Sequence, residues 1–395
     1  MDSKLIELNK SDFTSEEELK QAIARACDLM ENIYSSGHYP KMVVKRSWSK
    51  HNPVIDGELA QPSAYRWYLS REMERLVQNG AEVIIKPSRE IIPLNDPNLF
   101  DNIDEEDWDL TQKKLFLFRA ERIDISLDRL RHYTGTSAAD FQRYILFTNY
   151  DMHVDVFKEK FPDCVKPSRS GVQMPAYHHK MENNSGVTLI NIGVGPSNAK
   201  TITDHVGVLR PDAMLMVGHC GGLRNHQDIG DFVLADGYYR ADHVLDDLFP
   251  IGIPVIPNYI LNRYLLEVLD QHELNHRIGT VYTTSNRNWE FSKARTVEEI
   301  HQSRSVAIDM ESSTVATNGF RYRIPHATLL CVSDKPLHGK PKLSEAAQSF
   351  YQNSKEMHLE LVMEALQMVK DNFPEGLPNS SIRAFNEPLM GSGEE

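Results

Sequence analysis

From about residue 140 the chain is a series of short apolar runs, each followed by a turn and a helical stretch, and this alternation constrains the fold more than any other feature. The runs are Tyr144-Ile145-Leu146-Phe147, Thr188-Leu189-Ile190-Asn191-Ile192, Ala213-Met214-Leu215-Met216-Val217, Phe232-Val233-Leu234-Ala235, Thr280-Val281-Tyr282, Ser305-Val306-Ala307-Ile308 and Ala327-Thr328-Leu329-Leu330-Cys331-Val332. Several are apolar throughout, as strands are when helices cover both faces of their sheet. A helix from about Ser344 to Lys370 closes the series, with Phe350, Met357, Leu361, Leu366 and Val369 near helical spacing. The expected class is α/β. After Phe373 the sequence, rich in Pro, Asn, Ser and Gly, reads as irregular.

Before residue 140 the pattern is different. Thr14-Ser15-Glu16-Glu17-Glu18 opens a capped amphipathic helix that stops by Gly37, and a second helix runs roughly from Ser63 to Asn79. Strand-like pieces Glu82-Val83-Ile84-Ile85 and Glu90-Ile91-Ile92 follow, then an acidic loop from Asp101 to Asp109 and the run Lys113-Lys114-Leu115-Phe116-Leu117-Phe118. This is a smaller α+β unit of its own, expected over residues 1–135, ahead of a second domain over 136–395.

Charge and cysteine usage narrow the function. Lys and Arg number 43 against 56 Asp and Glu, a net charge of -13, which argues against nucleic-acid binding while leaving room for a local cationic pocket. Cys27, Cys164, Cys220 and Cys331 are scattered, no apolar leader follows Met1, and no stretch approaches membrane-spanning length. A reduced, cytoplasmic compartment is the expectation.

Two carboxylates stand where apolar strands run out. Glu311, in Ile308-Asp309-Met310-Glu311-Ser312, follows one strand, and Asp334, in Cys331-Val332-Ser333-Asp334-Lys335-Pro336, follows another. Ligands of open α/β sheets bind outside the carboxyl ends of strands, so both are candidates to face a ligand; helix N-capping is the alternative. Two glycine-rich turns accompany them. Gly193-Val194-Gly195-Pro196-Ser197-Asn198 follows a strand and opens a helix, so its backbone N–H groups and the helix dipole can hold an anion or sugar oxygens. It lacks the third glycine of a dinucleotide fingerprint. Gly218-His219-Cys220-Gly221-Gly222 ends the next strand, where absent side chains let backbone approach a ligand or simply make a tight turn. His178-His179 and His219 show no convergent Cys or carboxylate ligands at metal spacing, so neither metal nor cofactor is expected.

Together these segments resemble the nucleoside phosphorylase and nucleosidase superfamily. The strings Phe147-Thr148-Asn149-Tyr150, Asn191-Ile192-Gly193-Val194-Gly195-Pro196-Ser197-Asn198-Ala199-Lys200, Val217-Gly218-His219-Cys220-Gly221-Gly222-Leu223-Arg224 and Val332-Ser333-Asp334-Lys335-Pro336-Leu337-His338-Gly339 resemble most specifically its AMP-hydrolysing members, over residues from about 120 to the end. The resemblance implies a catalytic domain over 136–395 built on a nucleoside-phosphorylase-like mixed sheet flanked by helices, preceded by the smaller N-terminal domain over 1–135 in a regulatory role. It implies hydrolysis of the N-glycosidic bond of AMP to adenine and ribose 5-phosphate. It also implies a homo-oligomer, a hexamer, with ATP and phosphate as effectors.

Breaking that bond builds positive charge on the ribose and negative charge on the purine. By resemblance Asp334 is the acid that protonates N7 of adenine, Glu311 accepts hydrogen bonds from the ribose 2′- and 3′-hydroxyls, and Met310 packs under the sugar. A water-poor strand end would raise the carboxyl pKa that such an acid needs. Trp289, in Ser285-Asn286-Arg287-Asn288-Trp289, is a candidate to stack on the purine or a plain core residue. Arg240, Arg287, Lys335 and the Arg131-His132 pair are candidates for the 5′-phosphate. Phosphorylases of the superfamily hold nucleophilic phosphate with arginines where this chain has Met216 and Met152, which favours water as nucleophile. Met152 also departs from the AMP-hydrolysing members, where a basic residue is expected. A purine nucleoside phosphorylase and a non-catalytic AMP sensor are the alternatives.

Overall fold

The structure, a computed structural model, describes residues 5–48, 53–92, 117–340 and 344–378, with the side chains of 90, 91, 292, 293 and 344–356 left aside. The acidic loop 101–109, the run 113–116 and the tail beyond 378 lie outside the described residues. The chain divides into two compact units, one running through Arg129 and the other starting at Leu130. The division falls inside a helix, Ala120–Thr134, rather than at its end.

Among its described residues the first unit holds an antiparallel sheet, two helices of its own and the start of a third. Its strands are β1 (Ile6–Leu8), β2 (His38–Lys45), β3 (Val54–Glu58) and β4 (Glu82–Ile91), ordered β1-β4-β2-β3, with helices α1 (Glu16–Ser35) and α2 (Arg66–Gln78). Ser15 caps α1 as its sequence foretells: its hydroxyl accepts the Glu18 N–H at 3.2 Å, and the Glu18 carboxylate accepts the Thr14 N–H at 2.8 Å. Leu19, Ala22, Ile23, Ala26, Met30 and Ile33 bury one face of this helix. The two strand-like pieces read between Glu82 and Ile92 are the single strand β4.

The second unit is larger. In chain order it contains α3 (Ala120–Thr134, shared with the first unit), β5 (Tyr144–Thr148), α4 (Asp151–Lys160), β6 (Ala176–His179), β7 (Val187–Asn191), α5 (Pro196–Val206), β8 (Ala213–Gly222), β9 (Phe232–Ala241), α6 (Tyr259–Gln271), β10 (His276–Thr284), α7 (Lys293–Ser303), β11 (Ala307–Asp309), α8 (Ser312–Arg321), β12 (His326–Asp334) and α9 (Ser344–Asn372). Its eight strands form one mixed sheet in the order β11-β10-β9-β12-β8-β5-β7-β6. Beyond that order β11 also pairs antiparallel with β8, so β8, β12, β9, β10 and β11 close into a ring. The sheet is therefore not open at this end, and β8 holds two neighbours at its C-terminal tip as well as β5 along its first half.

Strands β5, β8 and β12 are buried along their whole length, which is why the sequence shows apolar runs there rather than alternation. On α9 the inward residues are Leu359, Leu361, Val362, Ala365, Leu366 and Val369, spaced by three or four. Met357, expected on this face, is 44% exposed because at 3.6 residues per turn its position falls about 40° outside the buried arc. All four cysteines are buried, and none is in a disulfide. No described helix is long and apolar enough to cross a membrane.

Candidate active site

Glu311 is the residue before the first turn of α8, yet its side chain caps nothing. Asp309 performs that task from the end of β11, accepting the Ser312 N–H at 2.9 Å, the Ser312 hydroxyl, and the Thr283 hydroxyl at 2.7 Å. Glu311 is thereby left to turn toward the first glycine turn. Its Oε1 accepts the Gly195 N–H at 2.6 Å, and its Oε2 accepts the Asn149 amide at 3.2 Å. Gly193 and Gly195 both have positive φ, +66° and +116°, a backbone that side chains disfavour and that aims the Gly195 N–H at the carboxylate. Burial pushes the Glu311 carboxyl from its ordinary 4.5 up to about 8, and the nearby Asp309 charge pushes the same way. The Gly195 and Asn149 hydrogen bonds oppose this shift without cancelling it. Asp309, also raised by burial, is held back by its Ser312 and Thr283 hydrogen bonds.

Asp334 is the last residue of β12 and is 8% exposed. Its Oδ1 accepts the Ser333 hydroxyl at 2.6 Å, and that hydroxyl also lies 3.3 Å from the Cys220 carbonyl oxygen. Glu311 and Asp334 are joined through β8. Gly221 pairs with Ile308 on one side and with Asp334 on the other, so the two carboxylates leave strand ends that flank one glycine.

Gly218-His219-Cys220-Gly221-Gly222 is thus not a turn, as the sequence alone allowed, but the tip of strand β8. The glycines are needed for strand closure: a Cβ on Gly221 would lie 3.0 Å from Ile308 Cγ2 and 3.3 Å from Pro336 Cδ, and one on Gly222 would lie 2.9 Å from Val332 Cγ1. Gly218 and Cys220 are buried on the same strand, and His219 between them turns its ring toward His153, 5.5 Å away. Met310 is half-buried between β11 and α8, and Ser197 is exposed on the first turn of α5.

The remaining candidates separate. Trp289 is 6% exposed within a small core with Leu223, Tyr282, Ile300 and Ile308, which is the core reading of this residue rather than an open stacking face. Arg240 is committed to the loop after β9: its guanidinium donates to Asp246 at 3.0 Å and to the Phe249 and Pro250 carbonyls at 2.8 and 3.1 Å. Lys335 is buried beside Asp334 and donates to the Asn225 carbonyl at 2.9 Å. Arg287, Arg131 and His132 are exposed.

Sequence reasoning did not single out Asn149, Asp309 or Asp242. Asp242 accepts hydrogen bonds from Ser313 at 2.5 Å and Thr314 at 2.7 Å, seating the first turn of α8 against the end of β9. A polar cluster Ser312-Ser313-Thr314 directly after Glu311 was the available signal, since hydroxyls in a buried helix start require acceptors. The histidine partners of His219 carry no such signal, because they are distant in sequence.

The Phosphorylase superfamily profile matches residues 146–367. The AMP nucleosidase of Escherichia coli strain K12 is 37% identical over 401 residues, covering 84% of this chain and 82% of that protein. The chain belongs to the AMP nucleosidase family. A crystal structure of an AMP nucleosidase from Bacteroides thetaiotaomicron VPI-5482 superposes with a TM-score of 0.54 at 30% identity, covering 64% of this chain and 99% of that one. A more distant relative, the 5′-methylthioadenosine/S-adenosylhomocysteine nucleosidase of Staphylococcus carnosus strain TM300, is 25% identical over 190 residues, 45% of this chain and 80% of that protein. Purine nucleoside phosphorylase from Toxoplasma gondii in complex with immucillin-H shares the fold, with a TM-score of 0.52 at 15% identity. The mixed sheet flanked by helices is thus the fold of an AMP nucleosidase, and the smaller α+β unit precedes it.

Proposed function

We propose that this chain hydrolyses the N-glycosidic bond of AMP to adenine and ribose 5-phosphate. The observation that carries this reading is the placement of Glu311 and Asp334 at strand ends on either side of Gly221, with Glu311 turned to the Gly193–Gly195 backbone, in a chain of the AMP nucleosidase family. Asp334 gives its proton to N7 of the departing purine, so that negative charge does not accumulate on the base. The Ser333 hydroxyl on its Oδ1 fixes the carboxyl rotamer for that transfer. Glu311 exchanges its bonds to Gly195 and Asn149 for the ribose 2′- and 3′-hydroxyls, and Met310 lies under the sugar. Water is the nucleophile, because Met216, buried in β8, and Met152, half-buried on α4, offer no cationic cradle for inorganic phosphate.

Among the basic candidates, Arg287 and the Arg131-His132 pair have exposed side chains, and Arg240 and Lys335 are buried and donate within the protein. The N-terminal unit is read as regulatory, the assembly as a cytoplasmic homo-hexamer, and ATP and phosphate as its effectors.

Incubation with AMP in phosphate-free buffer made with ¹⁸O-water tests the reaction. Adenine and ribose 5-phosphate carrying one solvent oxygen are the expected products, with adenosine a much poorer substrate because an empty phosphate subsite leaves its donors unpaired. An absolute requirement for added phosphate, with ribose 1-phosphate formed from adenosine, overturns the hydrolase in favour of the phosphorylase.

A further inference from the structure

Three histidines from distant parts of the chain meet in the interior of the second unit. His153 comes from α4, His219 from β8 and His358 from α9. Each offers a ring nitrogen, and these nitrogens all lie within 4.8 Å of one another, with every member buried. The ring centroids are separated by 5.5 Å (His153 to His219), 5.1 Å (His153 to His358) and 5.8 Å (His219 to His358). Imidazoles bound to one tetrahedral zinc put their nitrogens about 2.0–2.1 Å from the ion, and their centroids therefore sit roughly 5 Å apart. The observed triangle has that size.

Hydrogen bonding outside the triangle leaves ligand atoms facing its inside. The Nε2 of His358 lies 2.9 Å from the Leu329 carbonyl oxygen, an acceptor, so Nε2 carries the ring proton and Nδ1 presents its lone pair. Nδ1 of His153 is 2.7 Å from the Thr148 hydroxyl, leaving Nε2 as its inward atom. Both inward nitrogens, His358 Nδ1 and His153 Nε2, are buried with no hydrogen-bond partner, on side chains that are 0% exposed. A buried imidazole nitrogen without a partner is costly. An outer hydrogen bond that fixes ring orientation, as the Leu329 carbonyl does for His358, is the usual support of a metal-ligating histidine.

We propose that His153, His219 and His358 form a zinc site. Three imidazoles and no thiolate or carboxylate select a borderline transition ion of the zinc kind over magnesium or calcium. The site is structural in placement. It ties α4 and α9 to β8 at the residue next to Gly218, two positions before the Gly221 that separates Glu311 from Asp334. Because the ligands are enclosed, the ion enters as the domain folds, and coordination stabilises the folded over the unfolded chain. The proposal stands independently of the substrate reading above.

The full-length protein, produced without a histidine tag in zinc-supplemented medium, is analysed by mass spectrometry of its metals. It is also unfolded with chelator and refolded with zinc, with cobalt or without metal. Stoichiometric zinc is expected, together with a lower thermal midpoint in the metal-free sample and visible absorption bands of tetrahedral cobalt. His153→Gln with His358→Gln should abolish both metal content and the cobalt bands. Substoichiometric zinc in both preparations, with a midpoint indifferent to metal, overturns the site. So does metal retained in full by a folded double variant. Should the double variant fail to fold, the wild-type metal content and cobalt spectrum decide.

Discussion

At the residue scale, two neighbouring carboxylates on the same short segment perform opposite tasks. Asp309 accepts from Ser312 and Thr283 and caps a helix, while Glu311, two residues on, turns away to the Gly195 N–H and the Asn149 amide. A carboxyl pushed up to about 8 is mostly protonated in the empty site at neutral pH. Ribose hydroxyls, as donors, are best received by the ionised form, so the proposed role of Glu311 couples AMP binding to loss of a proton. The KM for AMP should therefore fall as pH rises from 6 toward 8, and Glu311→Gln should remove that dependence while weakening binding. A wild-type KM flat over that range would contradict the assignment. In the proposed mechanism Asp334 acts in the chemical step, so Asp334→Asn should lower kcat by roughly 10²- to 10⁴-fold with KM little changed. Near-normal turnover by that variant would remove Asp334 from the mechanism.

At the element scale, β8 is the member on which the site is assembled. It receives β12 in parallel and β11 in antiparallel register at the same residue, Gly221. Side chains at that tip would hold the three strands apart, since a Cβ on Gly221 meets Ile308 and Pro336 at 3.0 and 3.3 Å. Gly221→Ala should cost about 1–3 kcal/mol through overpacking. It should also lower kcat, because Glu311 and Asp334 are carried by the displaced strands. Denaturant unfolding, paired with amide exchange of β8, reads the first effect and steady-state kinetics the second. A variant as stable and active as wild type would show that the tip has slack. Helix α8 is a second such element: Asp309 and Asp242 seat its first turn from β11 and β9, which sets where Glu311 begins.

At the scale of the whole molecule, the buried titratable groups oppose one another in pH. Glu311 and Asp309 have raised folded-state pKa values, so the folded protein binds more protons than the unfolded chain between their ordinary values and the raised ones, and stability falls as pH rises through that window. Buried His178 and His326 go the other way. Burial lowers them from 6.5 to about 3 and 4, so acidification below 6.5 protonates only the unfolded chain and stability falls again. Stability should peak near pH 6.5, and Glu311→Gln should flatten the alkaline side, making the weaker-binding variant the more stable at pH 8. Urea midpoints of both proteins from pH 5 to 8.5 measure this; an alkaline side unchanged by the substitution would refute the buried, protonated state of Glu311. Which features the sequence determined follows from what is local. Apolar runs such as Leu329-Leu330-Cys331-Val332 mark buried strands because burial on both faces leaves no polar positions, and Ser15 marks a helix start because its hydroxyl serves a donor three residues away. Glu311, Asp334 and both glycine segments were legible for the same reason, since each lies at the end of its own strand. Tertiary structure alone decided the rest. That Gly218–Gly222 is a strand tip, that Trp289 is core, that Arg240 serves its loop, and that His153, His219 and His358 meet all depend on β8 receiving two neighbours and on α4 and α9 crossing behind it. Closure of a ring by residues nearly a hundred positions apart leaves no periodicity within any one segment.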